Sequence, residues 1–217
     1  MSRIIWDATG ERLFETGVKN CVLYVQEGGN YGNGVAWNGI TAVTESPEGA
    51  EATPLYADDI KYLNLISAEE LKATIEAYMY PLEFEKCDGS ASLVEGVSLG
   101  QQKRSTFALC YRTVLGNDTD GNEHGYKLHI IYGAVAAPSE KAYATINDSP
   151  EAITFSWELT TTPVAVTGHK PTSLVTIDST KVGDAKMKLL EDKLYGTEQD
   201  EPTLLLPDEI ATLLAEG

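Results

Sequence analysis

A chain of 217 residues, 42% hydrophobic and 23% charged, has enough apolar material for one sizeable folded domain, which argues against disorder. With 16 Lys and Arg against 33 Asp and Glu, the formal charge of −17 argues against a surface that grips nucleic acid through its phosphates, without excluding DNA as a cargo that does not stick. No apolar run approaches the roughly 20 residues of a membrane span, and the opening MSRIIWDATGERLF lacks the apolar stretch of a signal peptide, so no membrane insertion and a cytosolic start are expected.

Residues 1–19 are expected to be an N-terminal arm. They have little periodicity, yet Trp6 and Phe14 need cover, from another subunit or from the chain's own domain. Residues 21–25 read as the first strand, closed by EGGNYGNG. That glycine cluster lacks the Lys-Ser/Thr of a phosphate loop and precedes a strand pattern over 35–43, so a hairpin turn at Asn33-Gly34 is expected. Strand patterns at 40–43 and 61–66 bracket the acidic run ESPEGAEATPLYADD. A long loop holding Leu55 and Tyr56 among polar residues is expected to dock on something. Leu71, Ala73, Ile75, Ala77 and Met79 then alternate with Lys72, Thr74, Glu76, Tyr78 and Tyr80, the pattern of a strand with one core face and one wet face.

Residues 81–87 have room for one or two helical turns, stopped at Asp88-Gly89. Two apolar strands at 107–115 and 127–135 are predicted to form a hairpin with an extended tip. Residues 152–164 repeat the alternation, with Ile153, Phe155, Trp157 and Leu159 opposite Thr154, Ser156, Glu158 and Thr160, which suits the same sheet as 70–80. A short strand at 174–177 leads to a helix capped by Ser179, carrying Met187, Leu190 and Leu194 and stopped by Gly196; Pro207 opens a last helix with acids in its first turn. The fold class is therefore mainly β (α+β).

Chemistry-bearing patterns are sparse. His124, His129 and His169 have no second His or Cys at ligand spacing. Cys21, Cys87 and Cys110 lack C-x-x-C spacing and read as buried reduced thiols. Asp118, Asp120 and Glu123 form only a fragment of a calcium loop, so a solvated acidic turn is expected there. Asp58 and Asp59, adjacent in the acidic run, are expected to meet basic groups of a neighbour. Neither catalytic nor metal residues are assigned, no cofactor is expected, and the pattern suits a part that acts by assembling.

The order of a short strand, an acidic loop reaching PLYADD, a strand KYLNL and a strand ending AYMYP resembles the major tail tube protein of long-tailed (siphovirus-type) bacteriophages of Gram-positive hosts. APSEKAYATINDSPEAITFSWELTTTPV and PTSLVTIDST with its helical tail extend the resemblance over residues 20–214. It implies a β-sandwich or barrel-like tail tube domain at 20–196 with a flanking helix and a long inter-strand loop, an arm at 1–19 and a C-terminal segment with a short helix at 197–217. It further implies a non-enzymatic virion protein, assembled in the host cytoplasm into hexameric rings that stack and conduct DNA. The partners implied are further copies of itself and the tape measure, tail terminator and distal tail proteins. In that picture Lys72, Thr74, Glu76, Thr154, Ser156 and Glu158 line the lumen, while Pro54, Leu55, Tyr56, Asp58, Asp59, Trp6 and Phe14 contact other subunits or rings. A carbohydrate- or ligand-binding sandwich, using Trp37, Tyr78 and Tyr80 on a concave face, is the alternative of a different class; a contractile-tail or secretion-system tube subunit is a nearer one.

Overall fold

The computed structural model describes residues 3–146, 148 and 151–216; the first two residues of the expected arm and the last of the C-terminal segment lie outside it. Seven strands come first: β1 (Phe14–Glu27), β2 (Asn30–Tyr31), β3 (Val35–Ala36), β4 (Ile40–Gly49), β5 (Ala52–Ala57), β6 (Ile60–Ile66) and β7 (Glu69–Ala77). A helical turn at Leu82–Phe84 and α1 (Glu85–Asp88) follow, ended by Gly89 at φ 79°. Then come β8 (Ala91–Val94), β9 (Val97–Leu99), β10 (Phe107–Asn117), β11 (Gly121–Ala136), β12 (Phe155–Thr161) and β13 (Leu174–Asp178), and finally α2 (Ser179–Val182), α3 (Asp184–Tyr195) and α4 (Pro207–Glu216).

The main sheet is antiparallel, in the order β2-β1-β10-β11-β12-β7-β4, with β3 added to β1 and β13 to β11. Its middle strands bury both faces, which is why β10 opens on the unbroken apolar run FALCY instead of alternating. On one face, Leu23, Phe107, Leu109 and Ile131 meet Ala73, Ile75, Trp157 and Leu159, because β12, β7 and β4 fold over as a second layer. On the other, Val22, Tyr24, Cys110, Leu128 and Ile130 pack under Met187, Leu190 and Leu194 of α3 and Ile210 of α4. The Tyr24 hydroxyl donates to the Leu194 carbonyl and the Tyr132 hydroxyl to that of Leu205 at 2.7 Å, so the helical layer is pinned at buried points. The result is a sandwich-like β fold with flanking helices.

The two layers diverge at Gly133. Up to Ile131, strand β11 pairs with β13; from Ala134 it pairs with β12. Gly133 sits at φ 61°, and a Cβ there would lie 2.2 Å from the Thr162 carbonyl oxygen, so only glycine fits the junction.

Several local expectations are corrected. β1 starts at Phe14, pairing Phe14 with Gly116, so the second part of the expected arm is sheet. The first hairpin turns at Gly28-Gly29, both at positive φ, not at Asn33-Gly34. Gly34 is needed for a different reason: its Cβ would fall 2.7 Å from the Tyr24 ring and 2.8 Å from Val22. The alternation of β7 ends at Ala77, and Met79 is 61% exposed. Asp178, not Ser179, caps the late helix by accepting from the Thr180 amide, and Gly183 divides that helix into α2 and α3.

Candidate interaction surfaces

The stretch expected as an acidic loop is largely strand. β4 runs on to Gly49, and β5 and β6 continue the ladder as a hairpin whose two-residue turn, Asp58-Asp59, has φ of 50° and 61°. Two positive-φ residues match the hand of turn that twisted strands prefer; aspartate tolerates the left-handed region because its short side chain can bond locally. Gly49 at φ 84° and Ala50 at φ 54° turn one strand at the corner, and the Ala50 and Ser67 amides bond across it to the Ala68 and Glu51 carbonyls. Residues 40–77 are thus one long β-ribbon, packed in the body along β4 and β7 and standing off it along β5 and β6.

Every residue of β5 and β6 is exposed. Leu55 faces Leu63 across the ladder, and Tyr56, Ile60, Tyr62, Leu65 and Ile66 add to an uncovered apolar surface. Pro54 lies on the same strand and Asp58 and Asp59 form its tip, so the structure brings together the five contact residues expected in this region. Sequence reading did not single out the β6 side chains, although β6 exposes five large hydrophobics against two on β5. It also missed a second exposed hairpin, β8–β9, with Leu93, Val94, Val97 and Leu99; the apolar pairs flanking Glu95-Gly96 were its only signal.

The other two contact residues separate. Phe14 lies in β1, and its ring fills the space a Cβ on Gly116 would take. Trp6 is 77% exposed beside exposed Ile4 and Ile5. The chain between them is tied down: Asp118 accepts from the amides of Gly10 (3.0 Å) and Arg12 (3.3 Å), and Asn117 donates to the Gly10 carbonyl (3.1 Å). The acidic β10–β11 tip thus acts as a clamp for the arm. Within it, a hydrogen bond from His124 and a second from Asn117 hold the Asp120 carboxyl below its ordinary range. Among the described residues no group of three or more His, Cys, Asp or Glu is placed to hold a metal.

The polar face is a register of three strands. Across β4, β7 and β12 the rows read Ala42/Glu76/Ser156, Thr44/Thr74/Glu158 and Ser46/Lys72/Thr160, opposite the core row of Val43, Ile75 and Trp157. Lys72, Thr74, Glu76, Ser156 and Glu158 therefore share one surface, while Thr154 is exposed just before β12 begins. Lys72 meets Glu48 at 2.6 Å, and that hydrogen bond and charge, with Glu70 and Glu158 nearby, raise its pKa.

Of the three aromatics named for a sugar platform, Tyr78 is exposed but Trp37 and Tyr80 pack inward. Trp37 is buried against Phe84 and Trp157, donating its indole N–H to the Met79 carbonyl at 2.9 Å, and Tyr80 meets Trp157 edge-on. All three cysteines are free and buried, and burial pushes each thiol up to about 12.

Searches with family models and among curated proteins find no match. Among solved structures, the chain is similar to a chain of the anti-feeding prophage (AFP) baseplate, a six-fold symmetrised cryo-EM structure, at 12% identity and a TM-score of 0.36, covering 80% of this chain and 97% of that one. It is also similar, at 12% identity and a TM-score of 0.32, to a chain of the PVC sheath-tube complex of an extracellular contractile injection system in its extended state, covering 73% of this chain and 88% of that one.

Proposed function

We propose that this chain is a structural, non-enzymatic subunit that acts by assembling with copies of itself into stacked rings, forming the tube of a phage-type tail. The observation that carries the reading is the β5–β6 hairpin. An isolated two-stranded hairpin is at best marginally stable in water, and an apolar surface of this kind marks a contact made with another molecule. Because the hairpin is the far end of a ribbon rooted in the main sheet, what it grips is mechanically coupled to the body.

In this reading β5–β6, with Leu55, Tyr56 and Tyr62 as anchors and Pro54, Asp58 and Asp59 around them, reaches the adjacent ring, helped by Trp6 in the N-terminal segment. Strong net negative charge opposes association except where apolar or oppositely charged groups meet, so stacking is confined to such patches. The face carrying Lys72, Thr74, Glu76, Thr154, Ser156 and Glu158 lines the lumen, and its acidity keeps DNA from sticking. The long-tailed phage context, hexameric rings, and the tape measure, terminator and distal tail proteins as partners follow from the sequence resemblance.

The test is electron microscopy and light scattering on concentrated protein, beside the triple variant Leu55→Ser, Tyr56→Ser, Tyr62→Ser. Rings or tubes are expected from the native chain and soluble monomers with unchanged circular dichroism from the variant. A native chain that stays monomeric at high concentration, or a variant that makes normal tubes, overturns the reading.

A further inference from the structure

Beneath the ribbon, around one buried histidine, lies a polar cluster that the assembly surfaces do not use; its Glu15 and Thr176 are exposed and its Glu45 and Thr113 half-buried. His129, in the middle of β11, is buried and stacks flat on Tyr111 of β10, ring centroids 4.8 Å apart. Its Nε2 lies 3.3 Å from Glu15 Oε1 on β1 and 3.0 Å from Thr113 Oγ1, while its Nδ1 lies 3.4 Å from Glu45 Oε1 on β4 and 3.4 Å from Thr176 Oγ1 on β13. Glu15 anchors the strand that emerges from the N-terminal segment; Glu45 sits on the ribbon where it leaves the body.

We infer that His129 is a proton-operated clasp that sets how firmly the root of the β4–β7 ribbon, and with it the projecting hairpin, is held to the body. The inference deepens the assembly reading and rests on it for its biological consequence, though not for the clasp itself.

The chemistry follows from the donor count. A neutral imidazole has one N–H and one lone pair. With the proton on Nε2, that nitrogen donates toward Thr113 and Glu15, and the lone pair of Nδ1 accepts from the Thr176 hydroxyl. Glu45 then faces a lone pair and, among the described residues, keeps the bond from the Tyr111 hydroxyl. When the ring gains a second proton, Nδ1 becomes a donor and turns from Thr176 to Glu45, so one imidazolium bridges two carboxylates on two strands. Nδ1 is equally far from both partners, which is the geometry of a group able to serve either.

The surrounding charges define the pH window. From β11, Lys127 is bonded to Glu15 Oε2 at 2.5 Å and lies opposite Asp178 of β13. From β10, the Tyr111 phenol is kept protonated by burial and by Glu45, and Cys21 of β1 is protonated likewise. Glu45 has its carboxyl lowered chiefly by the hydrogen bond to His129, against the opposing effect of burial; Glu15 is lowered because bonds from Lys127 and Thr113 outweigh its desolvation. Carboxylates held low contribute stability above their ordinary range and lose it as pH falls through their folded values. The imidazolium bridge exists only while the ring holds its second proton, so it is lost once rising pH removes that proton. The clasp is therefore tightest where both carboxylates are ionised and the ring is doubly protonated, and it loosens as pH rises.

The experiment is an NMR titration of the His129 ring, with amide exchange of β4 corrected for intrinsic rate, in the full-length triple hairpin variant so that assembly does not interfere. If the native chain proves monomeric, it serves directly. The expected result is a Glu45→Gln variant whose His129 titrates at lower pH, a Thr176→Val variant whose His129 titrates at higher pH, and severalfold stronger β4 protection at pH 6 than at pH 8. That gain is expected to vanish in His129→Gln. Identical titrations in all three backgrounds, or the same gain in protection without the histidine, overturn the clasp. Failure of the native chain to form tubes while these titrations move as stated overturns the assembly reading and leaves the clasp standing.

Discussion

At the scale of single residues, the second layer is pinned through one buried carboxylate. Asp88 accepts from the Trp157 indole at 3.0 Å, is bonded by Lys141, and has Arg104 at 3.8 Å. Burial draws the Lys141 pKa down, but the hydrogen bond and charge of Asp88 outweigh it and the net direction is up. Removing one partner of such a pair leaves the others desolvated, so Asp88→Ala is expected to cost about 3–5 kcal/mol, read as a lower urea midpoint at unchanged slope. Asp88→Asn, which keeps an acceptor for Trp157, is expected to cost less. Likewise, thiols raised to about 12 predict no labelling of Cys21, Cys87 or Cys110 by a thiol reagent in the native protein at pH 8, and labelling of all three in denaturant. The cysteines were legible as buried reduced thiols because count and spacing are local properties. Asp88 read only as a helix stop, because Arg104, Lys141 and Trp157 come from distant parts of the chain and no local pattern connects them.

At the scale of elements, periodicity carried what it physically encodes. β7 and β12 showed their alternation because each has one dry and one wet face; the shared sheet expected of them is observed, and in it they are direct neighbours, Trp157 pairing with Ile75. The hairpin was only half legible: 61–66 read as a strand, but ATPLYA, exposed on both faces, has no burial pattern, and Pro54 weakens a strand reading further, so β5 read as loop. Its turn, Asp-Asp, is also not the favoured pair for two positive-φ residues. Replacing Asp58-Asp59 by Asn-Gly is therefore expected to strengthen the hairpin, raising amide protection of β5 and β6 severalfold in the non-assembling variant. Gly34 shows how a glycine can mislead: read as a turn residue, it lies against Tyr24 and Val22. Gly34→Ala is expected to overpack that contact at about 1–3 kcal/mol, measured by thermal or urea unfolding.

At the scale of the whole molecule, the apolar hairpin is the tip of the ribbon and the polar face is shared by the ribbon and β12, so under the proposed function assembly and passage of DNA are expected to be separable by mutation. On the polar face Glu48, Glu70 and Glu158 lie near Lys72, whose charge is engaged by Glu48, and Glu76 adds a further carboxylate two rows along. A polyanion moving past this face is repelled over about 8 Å at physiological ionic strength, which is enough to prevent adhesion without closing the path. Reversing Glu76 and Glu158 to Lys leaves the hairpin untouched, so tubes are expected to form as before. Their lumen would gain cations in two adjacent rows, and each phosphate contact adds to affinity in a strongly salt-dependent way. The expected outcome is DNA that co-sediments with the variant tubes at about 50 mM salt and is released by about 200 mM, together with slower DNA passage. DNA that ignores the reversed tubes at low salt would mean that this face does not line the conduit, even if the hairpin still builds it.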